Sequence, residues 1–318
     1  MLESLRKLST GWKELEAKYK NIICYFYALL SSICFMTMNL FIKSLPQLST
    51  AQILFFRSIE LYGLTALMMK SRNMQVYFNS PSINRLLLIR GFVGVVSMSL
   101  NFYGVRMLPL SEASVISQTT PVVVGILATV FLGERYEISQ FWGALFCMSG
   151  VLLVVKPAFL FPPNENLDEE DTTRVFGVVA LLAGTVFSST TQVLIKKIGA
   201  QTNEGAVTLY FAVIAAIFSP ILALFQGFQS YGAYDIGILL LIGFCSFGGQ
   251  MLRNKSFMLG NPGKVSIMSY FGIIYSLFLD VYVMGSKPDV FSILGALCIF
   301  CSLFVFLYQI IKNERQKG

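Results

Sequence analysis

The chain has 318 residues, of which 55% are hydrophobic and 13% charged, and it carries a formal net charge of +7. That balance excludes a water-soluble domain of this length and points to an all-α polytopic membrane protein. The absence of histidine excludes His-based catalysis and His zinc sites; no metal, cofactor or enzymatic activity is expected, and the positive charge follows topology rather than forming a nucleic-acid patch.

In chain order, residues 1–21 form a cytosolic N-terminal segment. It sets Leu2, Leu5, Leu8, Trp12, Leu15 and Tyr19 opposite Arg6, Lys7, Lys13 and Lys18 at helical spacing, which fits either a surface-lying amphipathic helix or a soluble tail. Membrane spans of about the ~20 residues a bilayer needs are predicted at 22–42, 51–69, 86–105, 114–132, 138–155, 175–195, 206–226, 236–252, 265–283 and 290–310. The first is too long for a signal peptide and is followed by Lys43 and Pro46 rather than a cleavage site, so it is expected to act as its own anchor. All six cysteines fall within spans and read as small core residues, not as a disulfide framework.

Basic residues crowd the loops on one side, among them Arg72, Arg85, Arg135, Lys196, Lys197, Arg253, Lys255 and Lys264. The other side holds Lys43, Arg106, Lys156, Arg174 and Lys287. The positive-inside rule therefore places both termini in the cytosol. The acidic stretch 158–174 then lies on the non-cytosolic side, as a linker between residues 22–157 and 175–311, with a basic cytosolic tail at 312–318.

Sliding the chain against itself by 152 residues pairs Phe35 with Phe187, Gly91 with Gly243, Ser117 with Ser269, Gly133 with Gly285 and Gly143-Ala144-Leu145 with Gly295-Ala296-Leu297. Two copies of five spans each must be inverted relative to one another, the plan of secondary transporters.

Polar side chains recur at helical spacing within several spans. Span 1 offers Ser32 and Asn39; span 3, Arg90, Gly94, Ser97 and Asn101; span 4, Ser117, Gln118 and Pro121; span 6, Thr185, Ser188 and Gln192; span 8, Gly243, Ser246, Gln250 and Asn254; span 9, Ser266, Ser269 and Tyr270. Small residues at such positions serve helix packing, but a charge and large amides pack poorly and are costly facing lipid. A guanidinium in the bilayer costs roughly 3 kcal/mol on insertion scales. Arg90, Ser97, Asn101, Ser117, Gln118, Gln192, Gln250, Tyr270 and Asn39 are therefore the candidate substrate-binding residues of a central polar cavity. Arg90 would be compensated by water, an anionic ligand, or snorkelling to the nearby interface. Arg57 and Glu60, three residues apart in span 2, are expected to form an intramembrane ion pair. Glu60, Glu112 and Asp280 are the carboxylates in or bordering spans, hence the candidates for proton coupling, although Glu112 also suits a helix start. Arg253, Lys255 and Lys264 are assigned to a cytosolic mouth that concentrates anions.

The stretch LPLSEASVISQTTPVVVGILATVFLGER (108–135), with Gly143 and GVLLVVKP (150–157), resembles the EamA domain of the drug/metabolite transporter superfamily. RGFVGVVSMSLNFYGVRMLPL (90–110) is similar to the G-type group of solute carrier family 35. The resemblance implies a ten-helix inverted-repeat fold with a central cavity, and transport of small metabolites. In the second half Ile273 stands where Pro121 would repeat, and Ser286-Lys287 replaces Glu134-Arg135. The expectation is a secondary-active transporter of a small organic or phosphorylated anion, working by alternating access as a monomer or homodimer in the lipid bilayer. The alternative is a non-transporting membrane scaffold or regulatory subunit derived from a carrier.

Overall fold

The computed structural model describes residues 19–78, 80–108, 110–134, 138–155, 171–199, 201–227, 229–283, 285 and 290–315. The amphipathic segment before Tyr19, most of the acidic linker and the last three residues lie outside that set. The described residues contain no strand, as a bilayer demands of any open chain that must satisfy its own backbone groups.

The helices are α1 (Lys20–Lys43), α2 (Thr50–Ser71), α3 (Pro81–Met107), α4 (Leu110–Ser117), α5 (Thr120–Leu132), α6 (Ile138–Val155), α7 (Asp171–Gly199), α8 (Glu204–Gln226), α9 (Ala233–Leu259), α10 (Pro262–Ile267), α11 (Phe271–Tyr282) and α12 (Val290–Arg315). Their starts follow from local chemistry. Ser49 and Gln52 form a reciprocal capping box on α2, Asn203 accepts from the Ala206 amide on α8, and Asn261 accepts from the Lys264 amide on α10. Gly133 ends α5 in the left-handed region, at φ 66°.

Among the described residues, seven helical stretches are long and apolar enough to cross a membrane: Ile22–Lys43, Pro81–Val105, Val115–Leu132, Val175–Gly199, Glu204–Leu224, Ala233–Leu259 and Val290–Tyr308. A shorter apolar helix covers Gln140–Val155. Of the other expected spans, α2 loses hydropathy to Gln52, Arg57 and Glu60. The ninth is not a single helix: α10 passes through a 3-10 turn at Met268–Tyr270 into α11. The fourth is interrupted too, at Gln118–Thr119 between α4 and α5.

The first interruption has a clear cause. Pro121 has no N–H to give the Ser117 carbonyl one turn back, and the Thr120 hydroxyl fills that place at 2.5 Å. The Val122 amide bonds Thr119 rather than Gln118, so the Gln118 carbonyl is left for another donor. That donor is the Tyr270 hydroxyl, from the 3-10 turn in the other half of the chain, at 3.0 Å.

Four long pairings carry the assembly: α3 along α7, α9 along α1, α2 along α8, and α6 along α12. The last crossing is close enough to need glycine on both sides. A Cβ on Gly150 would sit 2.7 Å from the Gly295 carbonyl oxygen, and one on Gly295 would sit 2.5 Å from the Gly150 oxygen. One large hydrophobic cluster, including Cys24, Leu87, Cys147, Ile195, Phe257 and Met268, draws side chains from both halves. None of the six cysteines forms a disulfide among the described residues.

Candidate functional site

A cavity of about 770 Å³ is an apolar groove on the outer face of α6 and α12 beside Trp142, Phe146 and Val305. The polar chemistry lies elsewhere, in two adjoining cavities between the helices. One, of about 320 Å³, is lined by Asn39, Arg57, Arg90, Gly94, Ser97, Asn101, Gln250 and Arg253 among others. The other, of about 220 Å³, is lined by several serines, Thr120 and Gln118 among others. Phe35, Ser188, Gln192 and Arg253 belong to both walls, so the two are lobes of one space.

The stripe expected on span 3 reaches this space intact, since Arg90, Gly94, Ser97 and Asn101 all line the larger lobe. Helical spacing sets these four on one face of α3, and the packing of α3 against α7 and α8 turns that face inward. Ser97 donates to the Gly184 carbonyl, and Asn101 donates to the Ser97 carbonyl. Gln192, Gln250 and Asn39 also line the larger lobe. Ser117 and Tyr270 line neither. Ser117 turns back to the Ala113 carbonyl, and Tyr270 is fully buried behind the helix interruption. These two support the wall rather than form it.

Arg90 is 4% exposed and is compensated in a way not foreseen. Its guanidinium donates to Asn254 Oδ1 at 3.3 Å and to the Val207 carbonyl at 3.4 Å, and sits 5.1 Å from the centre of the Phe211 ring. Asn254 is in turn held by Thr208, to whose hydroxyl it donates at 2.8 Å. All these partners are neutral, and Arg90 Nε has none. The positive charge is solvated by dipoles without being cancelled.

The expected ion pair of Arg57 and Glu60 is not formed. Arg57 lies on the cavity face of α2 and donates from Nε to the Ser246 hydroxyl of α9 at 2.6 Å. Glu60, about 300° further round the helix, packs instead against Gly243 of α9, and its Oε2 has no hydrogen-bond partner among the described residues. Three-residue spacing permits contact, but here each side chain finds its own place on α9.

The cytosolic-mouth group also divides. Helix α9 continues to Leu259, which carries Arg253 into the cavity wall, where it lies 5.8 Å from the Phe35 ring centre and 6.0 Å from that of Phe257. Its charge repels both Arg57 and Arg90. Lys255 lies over Tyr27, 5.3 Å from the ring centre. Lys264 belongs to a separate cluster at one end of the bundle, where Asn261 donates to Glu134 and Lys196 donates to the Met258 and Leu259 carbonyls. Burial pushes the Glu134 carboxyl above the usual carboxylate range, and Lys196 and Lys264 pull it back. The side chains of Glu112 and Asp280 lie outside the described ones.

Sequence reasoning thus missed Arg253 as a cavity residue. The signal was present, since Arg253 follows Gly249 and Gln250 at one-turn spacing. Among the described residues, three arginines and no acidic side chain line the two lobes. No arrangement of nucleophile and base accompanies them, and no group of side chains able to hold a metal occurs among the described residues.

Comparison with known proteins agrees with a binding and passage role. The profile of the EamA-like transporter family matches residues 22–156 and again 175–308. The chain is 28% identical to human solute carrier family 35 member G1 over 87% of this chain and 76% of that protein. It is likewise 28% identical to the pseudopaline exporter CntI of Pseudomonas aeruginosa, over 86% of this chain and 91% of that protein. A crystal structure at 14% identity superposes with a TM-score of 0.79, covering 92% of this chain and 99% of that one.

Proposed function

We propose that this chain, which belongs to the EamA-like transporter family and is an integral multi-pass membrane protein, is a secondary carrier that moves a small anionic metabolite by alternating access. One observation carries the anion: Arg57, Arg90 and Arg253 line a single cavity with no carboxylate among the described lining residues. Three uncancelled positive charges in a low-dielectric interior repel one another, and a ligand supplying the missing negative charge relieves that repulsion as it binds. The proposed binding residues are Arg57, Arg90, Arg253, Ser97, Asn101, Gln192, Gln250 and Asn39, with Gln118 in the smaller lobe. Glu60 is the described intramembrane carboxyl available for proton coupling, because its Oε2 has no partner.

The proposed architecture is ten membrane segments in two inverted repeats, with both termini cytosolic. Several features support it. The family profile matches twice, and the helix interruptions at Gln118–Thr119 and Met268–Tyr270 overlap under the offset of 152, which pairs Gln118 with Tyr270. The pairing of α3 with α7 becomes that of α9 with α1 when the halves are exchanged, while α2–α8 and α6–α12 each map onto themselves. The last crossing shows the same exchange in detail: the Gly150–Gly295 approach maps onto Ser302 and Gly143, where the Ser302 hydroxyl donates to the Gly143 carbonyl at 3.3 Å.

The test is uptake into proteoliposomes of a labelled panel of carboxylates, phosphate esters, neutral sugars and organic cations. Anions should be transported, and replacing Arg90 or Arg253 with glutamine should abolish or strongly reduce that uptake. Transport of only neutral or cationic solutes would overturn the anion assignment. Failure of every solute to move or to stabilise the purified protein would favour the scaffold reading.

A further inference from the structure

The two lobes differ in what they offer a ligand, and the difference lies in where the hydroxyl protons go. The larger lobe presents the guanidinium donors. In the smaller lobe, Ser31, Ser32, Thr120, Ser256, Ser266 and Ser269 all spend their protons on backbone carbonyls, those of Gly249, Ala28, Ser117, Cys24, Gly263 and Ser266 respectively. A hydroxyl that donates inward keeps only lone pairs for the cavity. Six such groups line the smaller lobe with acceptors, beside Arg253, whose guanidinium this wall shares with the larger lobe.

Between the lobes, Ser188 and Gln192 stand one turn apart on α7 and line both. Gln192 is 2% exposed, and its amide, like the Ser188 hydroxyl, opens onto the two lobes. An amide so placed offers both donors and an acceptor to whatever fills the space. The site therefore has versatile polar atoms where its two chemistries meet.

We infer that the transported solute is bipartite, with an anionic end held by the arginines and a hydrogen-bond-donating end, a hydroxyl or a protonated amine, held by the serine lobe. This rests on the anion-carrier reading and extends it. A carboxylate carrying no donor would fill the larger lobe yet leave the acceptors of the smaller one facing an apolar chain or an idle water. Ser188 and Gln192 then bridge the two ends, the amide giving its N–H groups to the acid and its oxygen to the donor.

The experiment measures binding of succinate, malate and aspartate to the purified full chain in nanodiscs, by competition or thermal stabilisation. All three probes carry two carboxylates on the same carbon skeleton and differ in having no donor, a hydroxyl or an amine. Malate, aspartate or both should bind about 3- to 10-fold more tightly than succinate, the range expected of one or two neutral hydrogen bonds. Which of the two leads identifies the donor. The ligand comparison needs no variant. A double substitution, Ser32→Ala with Ser269→Ala, should bring the preference close to one, and both hydroxyls bond within their own helical turns, so packing between helices is spared. Equal binding of all three probes, or a preference that survives the double substitution, would overturn the bipartite site while leaving the anion carrier standing. Binding of none of the three, with stabilisation by neutral or cationic solutes, would instead overturn the anion reading itself.

Discussion

Gly243 and Glu60 meet so closely that no other residue fits at 243 without movement. A Cβ there would lie 2.5 Å from the Glu60 carboxyl carbon and 2.8 Å from its Cβ, so the clash involves the base of the side chain as well as its tip. Gly243→Ala should lower stability by about 1–3 kcal/mol, as overpacking does, and adding Glu60→Ala should recover part of the loss. Melting temperatures of the three variants check this, and an additive double variant would show that the two residues do not meet. Glu134 supports a second expectation, this one on pH. Its folded-state carboxyl binds its proton more tightly than the unfolded one, so its contribution to stability is full below the ordinary carboxylate pKa and is lost as pH rises through its raised value. Subtracting the melting temperatures of Glu134→Gln from those of the unaltered chain across mildly acidic pH should leave a difference that falls as pH increases. A rising difference would mean that Lys196 and Lys264 outweigh burial. Individual arginines show where sequence stops being informative. Arg90 was legible because a charge amid LLLIRGFVGVV has no other use, and its three companions on α3 followed from spacing. Its partners were not, since Val207 and Asn254 come from distant helices and are neutral.

The two broken spans carry the next level of organisation. Pro121 announces the first break, while the second has no proline at all: Ile273 occupies the corresponding place, and the chain tightens instead into the 3-10 turn at Met268–Tyr270. A proline is visible in any sequence. A 3-10 turn that packs against α1 with no proline to mark it is not. Helix ends were misjudged for a related reason, because the expected eighth span stopped at 252 where the charges begin. In the structure α9 runs on to Leu259, since Arg253 and Asn254 face protein rather than lipid. Tyr270→Phe should test how much the two breaks depend on each other. It removes the donor to the Gln118 carbonyl and leaves that group buried without a partner, at a cost of about 1–3 kcal/mol. Thr120→Val should cost a similar amount by stranding the Ser117 carbonyl. Unfolding in graded denaturant reads both, and wild-type stability in Tyr270→Phe would mean that water replaces the hydroxyl.

For the whole molecule, the all-helical, polytopic membrane character could be read from hydropathy, because it is a property of long segments. Which faces meet could not, because a membrane gives helices no solvent contrast by which to mark a buried side. The proposed topology makes a direct prediction. In a chain whose six cysteines are replaced by alanine, Ser44→Cys and Ser230→Cys should react with an impermeant maleimide from the non-cytosolic side, and Ser71→Cys from the cytosolic side alone. Labelling of all three from one face would exclude the inverted arrangement.

The hydrogen bond from Tyr270 to Gln118 joins positions 152 apart, which in an inverted repeat are duplicates of one another, and so it crosses the point where the halves turn about each other. Two identical halves would have inward- and outward-facing forms of equal free energy, because each form is the other turned over. A residue meeting its own duplicate at that point cannot keep the balance: one side chain must cross and the other must yield, and here tyrosine crosses while glutamine turns to the cavity. In the proposed inverted-repeat carrier the two facing forms are therefore chemically distinct, and its resting direction, the side from which it waits for its solute, would be an inherited asymmetry rooted at its own centre of symmetry.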